Sequence, residues 1–464
     1  MAENKRIIKV LISICFLFVL LVGYLTWFGM FAGPKYVVSS YNNKRQQLEE
    51  EKVLRGSILD KNGVVLAKSE IADGRQKRIY PYGNLYSQVI GYNSKTYGRS
   101  QLEQTYNSYL LGNDEYSRML GVFSIAGKDM RRGNDVNTTL DHELQQYGEK
   151  LLTGKKGAIV AINPKTGQVL ALVSKPDFDP SEESLENHWK DMTESEDSPF
   201  LPRATRGLYA PGSSFKVLIA ALAVENGLDG MEYKDDGRIT IDGKVFSNDN
   251  KKAYGNINLS QALTVSSNVV FSQLAVKLGD GLLKDMADRI GMNKNIPFDI
   301  SVSKSIFPYG KMGETDMAAV GIGQGKLMVS PLHMAMVASA IANKGVMMKP
   351  VLVDSVVSPK GIVIKNNEPE ELYRIMDEKT ALEVGQMMEQ AVKNGTGKKA
   401  AVKGVRVAGK TGTAQNEATV NQKNREHAWF IGFAPVDDPE IAISVLLEYE
   451  GRSGGDAAAP IAGK

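Results

Sequence analysis

The chain opens on an uncharged, largely apolar run from Val10 to Phe31, with Lys5, Arg6 and Lys9 ahead of it. As a helix, about 22 residues at ~1.5 Å each span ~33 Å, enough to cross the hydrocarbon of a bilayer. Tyr24, Trp27 and Phe28 cluster near its far end, where aromatic rings favour the interface. The pattern predicts a cytoplasmic tail at 1–9, a transmembrane anchor at 10–33 and everything beyond Pro34 outside the cytoplasm. A cleaved signal peptide would show a shorter apolar stretch and then a small-x-small site. Met30 and Phe31 stand where that site would fall, so a retained anchor is the expectation.

Beyond the anchor the pattern changes twice. Asn42–Lys52 is polar and helix-prone, suiting a juxtamembrane stalk. Ser57–Leu59 and Val64–Leu66 flank Asp60-Lys61-Asn62-Gly63, a hairpin signature because Asn-Gly tolerates the left-handed positions of a tight turn. Residues 70–135 are rich in Tyr, Gly, Asn and Arg without a long helical period, so 34–140 is expected to be a small, mostly β module. From 141 to 464 the texture is that of a larger domain. Asp141 is placed to cap a helix running to Leu152. Ala158–Asn163 and Gln168–Ser174 are apolar strands joined by Pro164-Lys165-Thr166-Gly167. A long helical region with loops is predicted from Gly212 to about Met292. Val405–Ala414, Ala428–Ala434 and Ile441–Glu448 then read as three strands, the last two joined by a turn at Pro435–Glu440. Two strands, then helices, then three strands predict an α+β fold whose sheet is largely antiparallel with helices on its faces.

Composition narrows the function classes. The 464 residues carry 56 basic and 53 acidic side chains, so no strong field points to nucleic acid. The only cysteine, Cys15, lies in the anchor, which removes disulfides and thiol chemistry from the exported part. His142-Glu143 is followed by Gln146 where a zinc protease needs histidine, and the four histidines are scattered. No G-x-S-x-G elbow is present. Neither a metal nor a cofactor is expected.

Candidate chemistry begins at Ser213-Ser214-Phe215-Lys216. On a helix starting at Pro211-Gly212 and stopping at Gly227, Ser213 and Lys216 lie one turn apart. The remainder to Glu225 is nearly all apolar, the mark of a core helix. A lysine forced into a dry site gives up its proton, and neutrality at pH 7 needs a drop of ~3 pH units, about 4 kcal/mol. A neutral amine against a serine hydroxyl is a general base for nucleophilic catalysis. The alternative is a core helix whose lysine snorkels to solvent. Ser301-Val302-Ser303-Lys304 has the same letters without the long apolar helix, and is a chance match.

Two further elements follow. In Ser266-Ser267-Asn268 a second hydroxyl could pass a proton and an amide could grip a peptide group; alone it reads equally as a helix cap. Ser40-Tyr41-Asn42 repeats that spacing. Lys410-Thr411-Gly412-Thr413 follows an apolar strand and would offer a cation, two hydroxyls and an amide to an anion, with Gly412 letting a substrate backbone approach. Lys165-Thr166-Gly167 is a copy at a hairpin tip. Gly404 to Thr411 also matches G-x-x-x-x-G-K-[ST], but a phosphate loop needs a helix starting at the lysine, and Val405–Ala408 looks like strand.

S-x-x-K, S-x-N and K-T-G in this order resemble the penicillin-binding transpeptidases and serine β-lactamases. Arg55–Gly63 resembles the start of the membrane-proximal module of class B penicillin-binding proteins. Gly157–Ala171, Tyr209–Lys216, Gly323-Gln324-Gly325 with Pro331-Leu332, Lys410–Gln415 and His427–Gly432 resemble the same family. The resemblance implies a β-lactamase/transpeptidase-like fold: a five-stranded, mainly antiparallel sheet flanked by helices, an all-helical subdomain, and a small β-rich membrane-proximal domain behind one transmembrane helix. It implies a peptidoglycan D,D-transpeptidase in which Ser213 attacks the D-Ala-D-Ala carbonyl of a stem peptide with Lys216 as base. Ser266 would relay the proton to the departing D-alanine, and Asn268 would hold the donor peptide. Lys410, Thr411, Gly412 and Thr413 would bind the end carrying the carboxylate. An amine from a neighbouring strand would resolve the acyl-enzyme, and β-lactams would acylate the same serine.

Residues 34–140 lack the acidic signature of a glycosyltransferase, so the implied partner is a separate membrane glycan polymerase of the SEDS type. Only Gly451–Lys464 follow the last strand, so the helix expected across the sheet must be short. Two other readings stay open. A membrane-anchored β-lactamase or β-lactam sensor shares the fold, but Glu183 with Asn187, which fits the E-x-x-x-N of a deacylating glutamate, precedes Ser213 in the wrong order. A non-catalytic scaffold of a wall-building complex could also keep it.

Overall fold

The computed structural model describes residues 2–28, 50–51, 53–72, 75–114, 117, 131–414 and 426–464. The expected stalk lies outside these apart from Glu50 and Glu51, as do Ser40-Tyr41-Asn42 and Gln415. Helix α1 (Ala2–Trp27) carries the apolar run. From Ile7 to Trp27 its mean hydropathy is 2.6, and it is the one helix among the described residues long and apolar enough to cross a membrane.

Strands β1 (Ile58–Leu59) and β2 (Val65–Ala72) form the expected hairpin. Asp60 Oδ1 accepts the amides of Asn62 and Val64 at 2.8 and 2.7 Å, and Gly63 takes φ 84°, a conformation that penalises a Cβ. Strand β3 (Arg75–Ile79) pairs with β2, and β4 (Asp135–Thr138) ends the N-terminal module. Helix α2 (His142–Leu151) starts on Asp141, whose carboxylate accepts the Leu144 amide at 3.0 Å. The hairpin of β5 (Gly157–Ile162) and β6 (Val169–Lys175) follows. A 3₁₀ turn at Gly212–Phe215 leads into α3 (Lys216–Glu225).

The next segment departs from expectation. Between α3 and the next helix stand two ribbons, β7 (Glu232–Asp235) paired with β10 (Gly255–Asn258) and β8 (Arg238–Ile241) paired with β9 (Lys244–Ser247). The subdomain is therefore not all-helical. These strands are four residues long and mostly polar, with only one or two buried side chains each, so no apolar run announces them. Helix α4 (Leu259–Val265) and α5 (Asn268–Arg289) follow, broken at Ser266 rather than continuous.

Ser330 caps α6 (Pro331–Ala342), which has Pro331 in its first turn. Later elements that build the two sheets and their cover are β11 (Val353–Val357), β12 (Val363–Asn366), α7 (Glu378–Lys393), β13 (Ala408–Ala414), β14 (His427–Ala434), β15 (Ile441–Leu447) and α8 (Ala459–Ala462).

The large sheet is five-stranded and antiparallel in the order β6-β5-β15-β14-β13, which makes β13 a free edge. One face is covered by α6, buried nearly all round, with α7 against β13. The other face carries α2 and, at the end of the chain, α8 with its preceding turn. There Ala457, Ala458, Ala459 and Ile461 join Phe430, Val445 and Leu447 in one apolar cluster. The second sheet has six strands, β12-β11-β4-β1-β2-β3. Two of them come from 353–366, with Val356 paired to Val136, so the membrane-proximal sheet is completed by the larger domain.

Candidate active site

Three segments converge at the free edge of the large sheet. The 3₁₀ turn carrying Ser213 is pressed against β13 at glycine positions. A Cβ on Gly212, where φ is +54°, would lie 2.4 Å from Thr413 O, and one on Gly412 would lie 2.8 Å from Pro211 O. Neither space admits a side chain. Behind the turn, Gly212 N donates to Gly323 O at 2.9 Å, and Trp429 Nε1 donates to Ala210 O at 3.0 Å. The loop at Gly323-Gln324-Gly325 thus braces the turn from one side and β14 from the other. Ser213 is half-buried, whereas Ser214, Phe215 and Lys216 are buried.

The third segment is the break between α4 and α5. Ser266 ends α4 in the left-handed region at φ 61°, ψ 41°, a strained conformation for a residue with a Cβ. Ser267 caps α5, its hydroxyl accepting the Val270 amide at 3.0 Å. The strain turns both Ser266 O and Ser266 Oγ toward the lysines.

Lys216 Nζ, wholly buried, donates to Ser266 O at 2.8 Å and Asn268 Oδ1 at 2.7 Å, with Ser266 Oγ at 3.4 Å. Lys410 Nζ, also wholly buried, donates to Ser266 Oγ and to Thr411 O, both at 2.9 Å. Ser266 Oγ therefore bridges the two lysines. Burial drives Lys216 well below the ordinary lysine range, the charge of Lys410 pushes it further down, and Asp235 opposes both. Burial alone lowers Lys410 to about 7. Two cations this close in a dry site disfavour each other, so an uncharged Lys216 beside Lys410 is the favoured state.

The structure thus brings together Lys216, Ser266, Asn268 and Lys410, with Ser213 on the adjoining turn. One expected contact is not formed: among the described residues the Ser213 hydroxyl makes no hydrogen bond, to Lys216 or to any other group. The amine is drawn instead to a carbonyl and an amide oxygen, which are stronger acceptors than a hydroxyl. Thr411 Oγ1 lies 2.6 Å from Thr396 Oγ1, and Thr413 Oγ1 accepts the Gly454 amide at 3.2 Å while keeping its own proton to donate. The chance matches fall away. Ser301–Lys304 is not helical, Lys165 is an exposed turn residue paired with Asp438, and Glu183 and Asn187 are exposed on a surface helix. Lys410 sits mid-strand with no helix starting at it, so Gly404–Thr411 is no phosphate loop.

A model of the penicillin binding protein transpeptidase domain matches residues 157–464, and one of the penicillin binding protein A dimerisation domain matches 55–136. The chain belongs to the class B penicillin-binding proteins. It is 33% identical to the peptidoglycan D,D-transpeptidase PbpA of Mycolicibacterium smegmatis, over 99% of this chain and 97% of that protein. Among solved structures, the imipenem acyl-enzyme complex of penicillin-binding protein A from M. tuberculosis superposes with a TM-score of 0.83 at 31% identity, covering 90% of this chain and 98% of that one. A D,D-transpeptidase domain from Eggerthella lenta gives 0.78 at 34% identity, over 89% and 97%. Within this penicillin-binding protein, motif reading missed Asp235, Asn248 and Thr396, which touch the site from the ribbons and from the loop after α7. A lone Asp, Asn or Thr in a polar stretch carries no local signal of such a contact.

Proposed function

We propose that this chain is a peptidoglycan D,D-transpeptidase with Ser213 as nucleophile and Lys216 as its base. The observation that carries the reading is the setting of Lys216 Nζ, wholly buried and bonded to Ser266 O at 2.8 Å and Asn268 Oδ1 at 2.7 Å: a neutral amine there spends both N–H groups on these acceptors and keeps its lone pair to take a proton. In acylation the Ser213 oxygen bonds to the carbonyl carbon of the penultimate D-alanine while its proton passes to Lys216. Collapse breaks the bond to the terminal D-alanine, whose nitrogen receives that proton through Ser266 Oγ. Lys410 carries the charge facing the ligand carboxylate, with Thr411 and Thr413 as hydroxyl donors, and Asn268 holds the donor peptide. Backbone amides of Ser213 and Thr413 stabilise the oxyanion. An acceptor amine from a second strand then attacks the ester and returns Ser213 its proton. β-Lactams enter by the first half of this route.

In this reading residues 10–33 anchor the chain in the cell membrane with 1–9 cytoplasmic, 34–140 form the membrane-proximal module, and 141–464 the transpeptidase domain outside. The cationic flank and the apolar α1 support that orientation. A SEDS-type polymerase would supply the glycan.

A fluorescent penicillin should label the full-length protein, and Ser213→Ala should abolish labelling; a labelled variant removes Ser213 as nucleophile. An acyl-enzyme that persists for many minutes separates a transpeptidase from a β-lactamase, which would release it within seconds.

A further inference from the structure

One buried carboxylate near the site has no part in the mechanism above. Asp235 ends β7 with no exposed surface, and among the described residues no cation lies within ion-pair distance of it. It is held by hydrogen bonds alone. It accepts the Gly237 amide at 2.9 Å, Asn248 Nδ2 at 2.7 and 2.9 Å, and the Ser267 hydroxyl at 2.6 Å. Two of these partners, Asn248 and Ser267, reach on to α5. Asn248 also donates to Lys252 O at 2.8 Å, which turns its Oδ1 onto the amides of Asn268 and Val269 at 2.8 and 3.1 Å. Ser267, its proton committed to the carboxylate, takes the Val270 amide. All three leading amides of α5 are thereby satisfied through side chains that Asp235 holds, and the positive end of that helix favours the nearby anion.

The consequence falls on Ser266. A left-handed serine persists only where its neighbours over-determine it. Its successor Ser267 is fixed by Asp235, and Asn268 is fixed at both ends, by Asn248 at its amide and by Ser247 O on its Nδ2 at 2.8 Å. We propose that Asp235, on a ribbon that no motif marks, is a positioning residue of the site: through Ser267 and Asn248 it holds Ser266 Oγ between the two lysines and Asn268 Oδ1 on the Lys216 amine. The ribbons between α3 and α4 are then a clamp for the Ser266–Asn268 turn. This inference rests on the transpeptidase reading. It carries an electrostatic signature, since the charges that reach Lys216 are Lys410 from β13 and Asp235 from β7, and only Asp235 favours its protonation.

The test uses the full-length protein in detergent, a fluorescent penicillin and the second-order acylation rate from pH 5 to 9. Wild-type labelling lost in Ser213→Ala establishes the underlying reading; its failure would count against that reading alone. Asp235→Asn should slow acylation by about tenfold or more, the scale of one lost hydrogen bond to a buried charge. Its acid limb should move to lower pH, because Lys216 sheds its proton more readily without the anion. The exchange of Asp235→Asn with Asn248→Asp keeps one amide–carboxylate pair and one acceptor for the α5 amides, and should recover most of the rate. Wild-type rate and limb in Asp235→Asn, or an exchange variant no faster than Asp235→Asn, overturns the proposal. If Asp235→Asn does not fold, Ser267→Ala cuts the same link. It should slow acylation likewise, and an unchanged rate there overturns the proposal too.

Discussion

Lys410→Met should make this protein more stable and nearly inactive. Lys410 is wholly buried in β13, and burial lowers its amine from an ordinary 10.5 to about 7. At ~1.4 kcal/mol per tenfold change in proton affinity, keeping the amine charged in the fold costs on the order of 5 kcal/mol against the unfolded chain. Methionine fills a similar unbranched volume without a charge. It leaves Ser266 Oγ and Thr411 O each short of a donor, about 2 kcal/mol together. The expected net gain at pH 6 is therefore about 3 kcal/mol, several degrees in unfolding midpoint. Proton counting sets the pH dependence. Below about 7 both states hold the proton and the full penalty is present. Between about 7 and 10.5 the unfolded chain binds more protons than the fold, so wild-type stability rises with pH and the advantage of the variant fades. The assay is paired thermal unfolding in detergent at pH 6 and pH 9, with penicillin acylation measured alongside. Acylation should fall by roughly 100-fold through loss of the charge facing the carboxylate. A variant that melts below wild type at pH 6, or whose advantage does not shrink by pH 9, refutes the reasoning.

Other perturbations probe the frame around the groove. Gly212→Ala puts a Cβ 2.4 Å from Thr413 O at a φ of +54°, so it should lose about 2 kcal/mol or more and most penicillin labelling, read by denaturant unfolding and gel fluorescence. In the membrane-proximal module Glu103 is fully buried and takes Arg55 Nε and Arg78 Nε, both at 2.6 Å. Glu103→Gln leaves two buried guanidinium groups undercompensated and should cost about 3–5 kcal/mol. Burial pulls the Glu103 carboxyl upward, but Arg55 and Arg78 outweigh it and hold it below the usual carboxylate range. Its contribution is thus present above the ordinary carboxylate pKa and lost as pH falls through the lowered value, and acid unfolding followed by circular dichroism should show the variant lacking that step.

Much of this molecule was legible in its chain because the signals are local. An unbroken apolar run marks α1, the Asn62-Gly63 pair marks the first hairpin, and alternation of apolar strands and turns marks the five strands of the large sheet. The apolar residues around Lys216 on α3 narrowed its fate to two readings, a buried amine or one that snorkels to solvent, and the fold took the first. Where signals are not local, reading the chain stopped short. The pairing of Val356 with Val136 joins segments far apart in sequence, and nothing in either names its partner. The ribbons at β7–β10 were hidden because their strands are short and polar. The lone Asp235 and Asn248 differ from surface residues only in what the fold packs over them.

The chain itself therefore determined which chemical groups are present and which helices and strands carry them. Only the tertiary structure decided that Ser266 Oγ stands between Lys216 and Lys410, and that the Lys216 amine turns to Ser266 and Asn268 rather than to Ser213. The physical reason is that propensity and periodicity act over a few residues. Hydrogen-bond geometry and the loss of solvent that shifts a buried amine are instead properties of surfaces that meet only after the whole domain has closed.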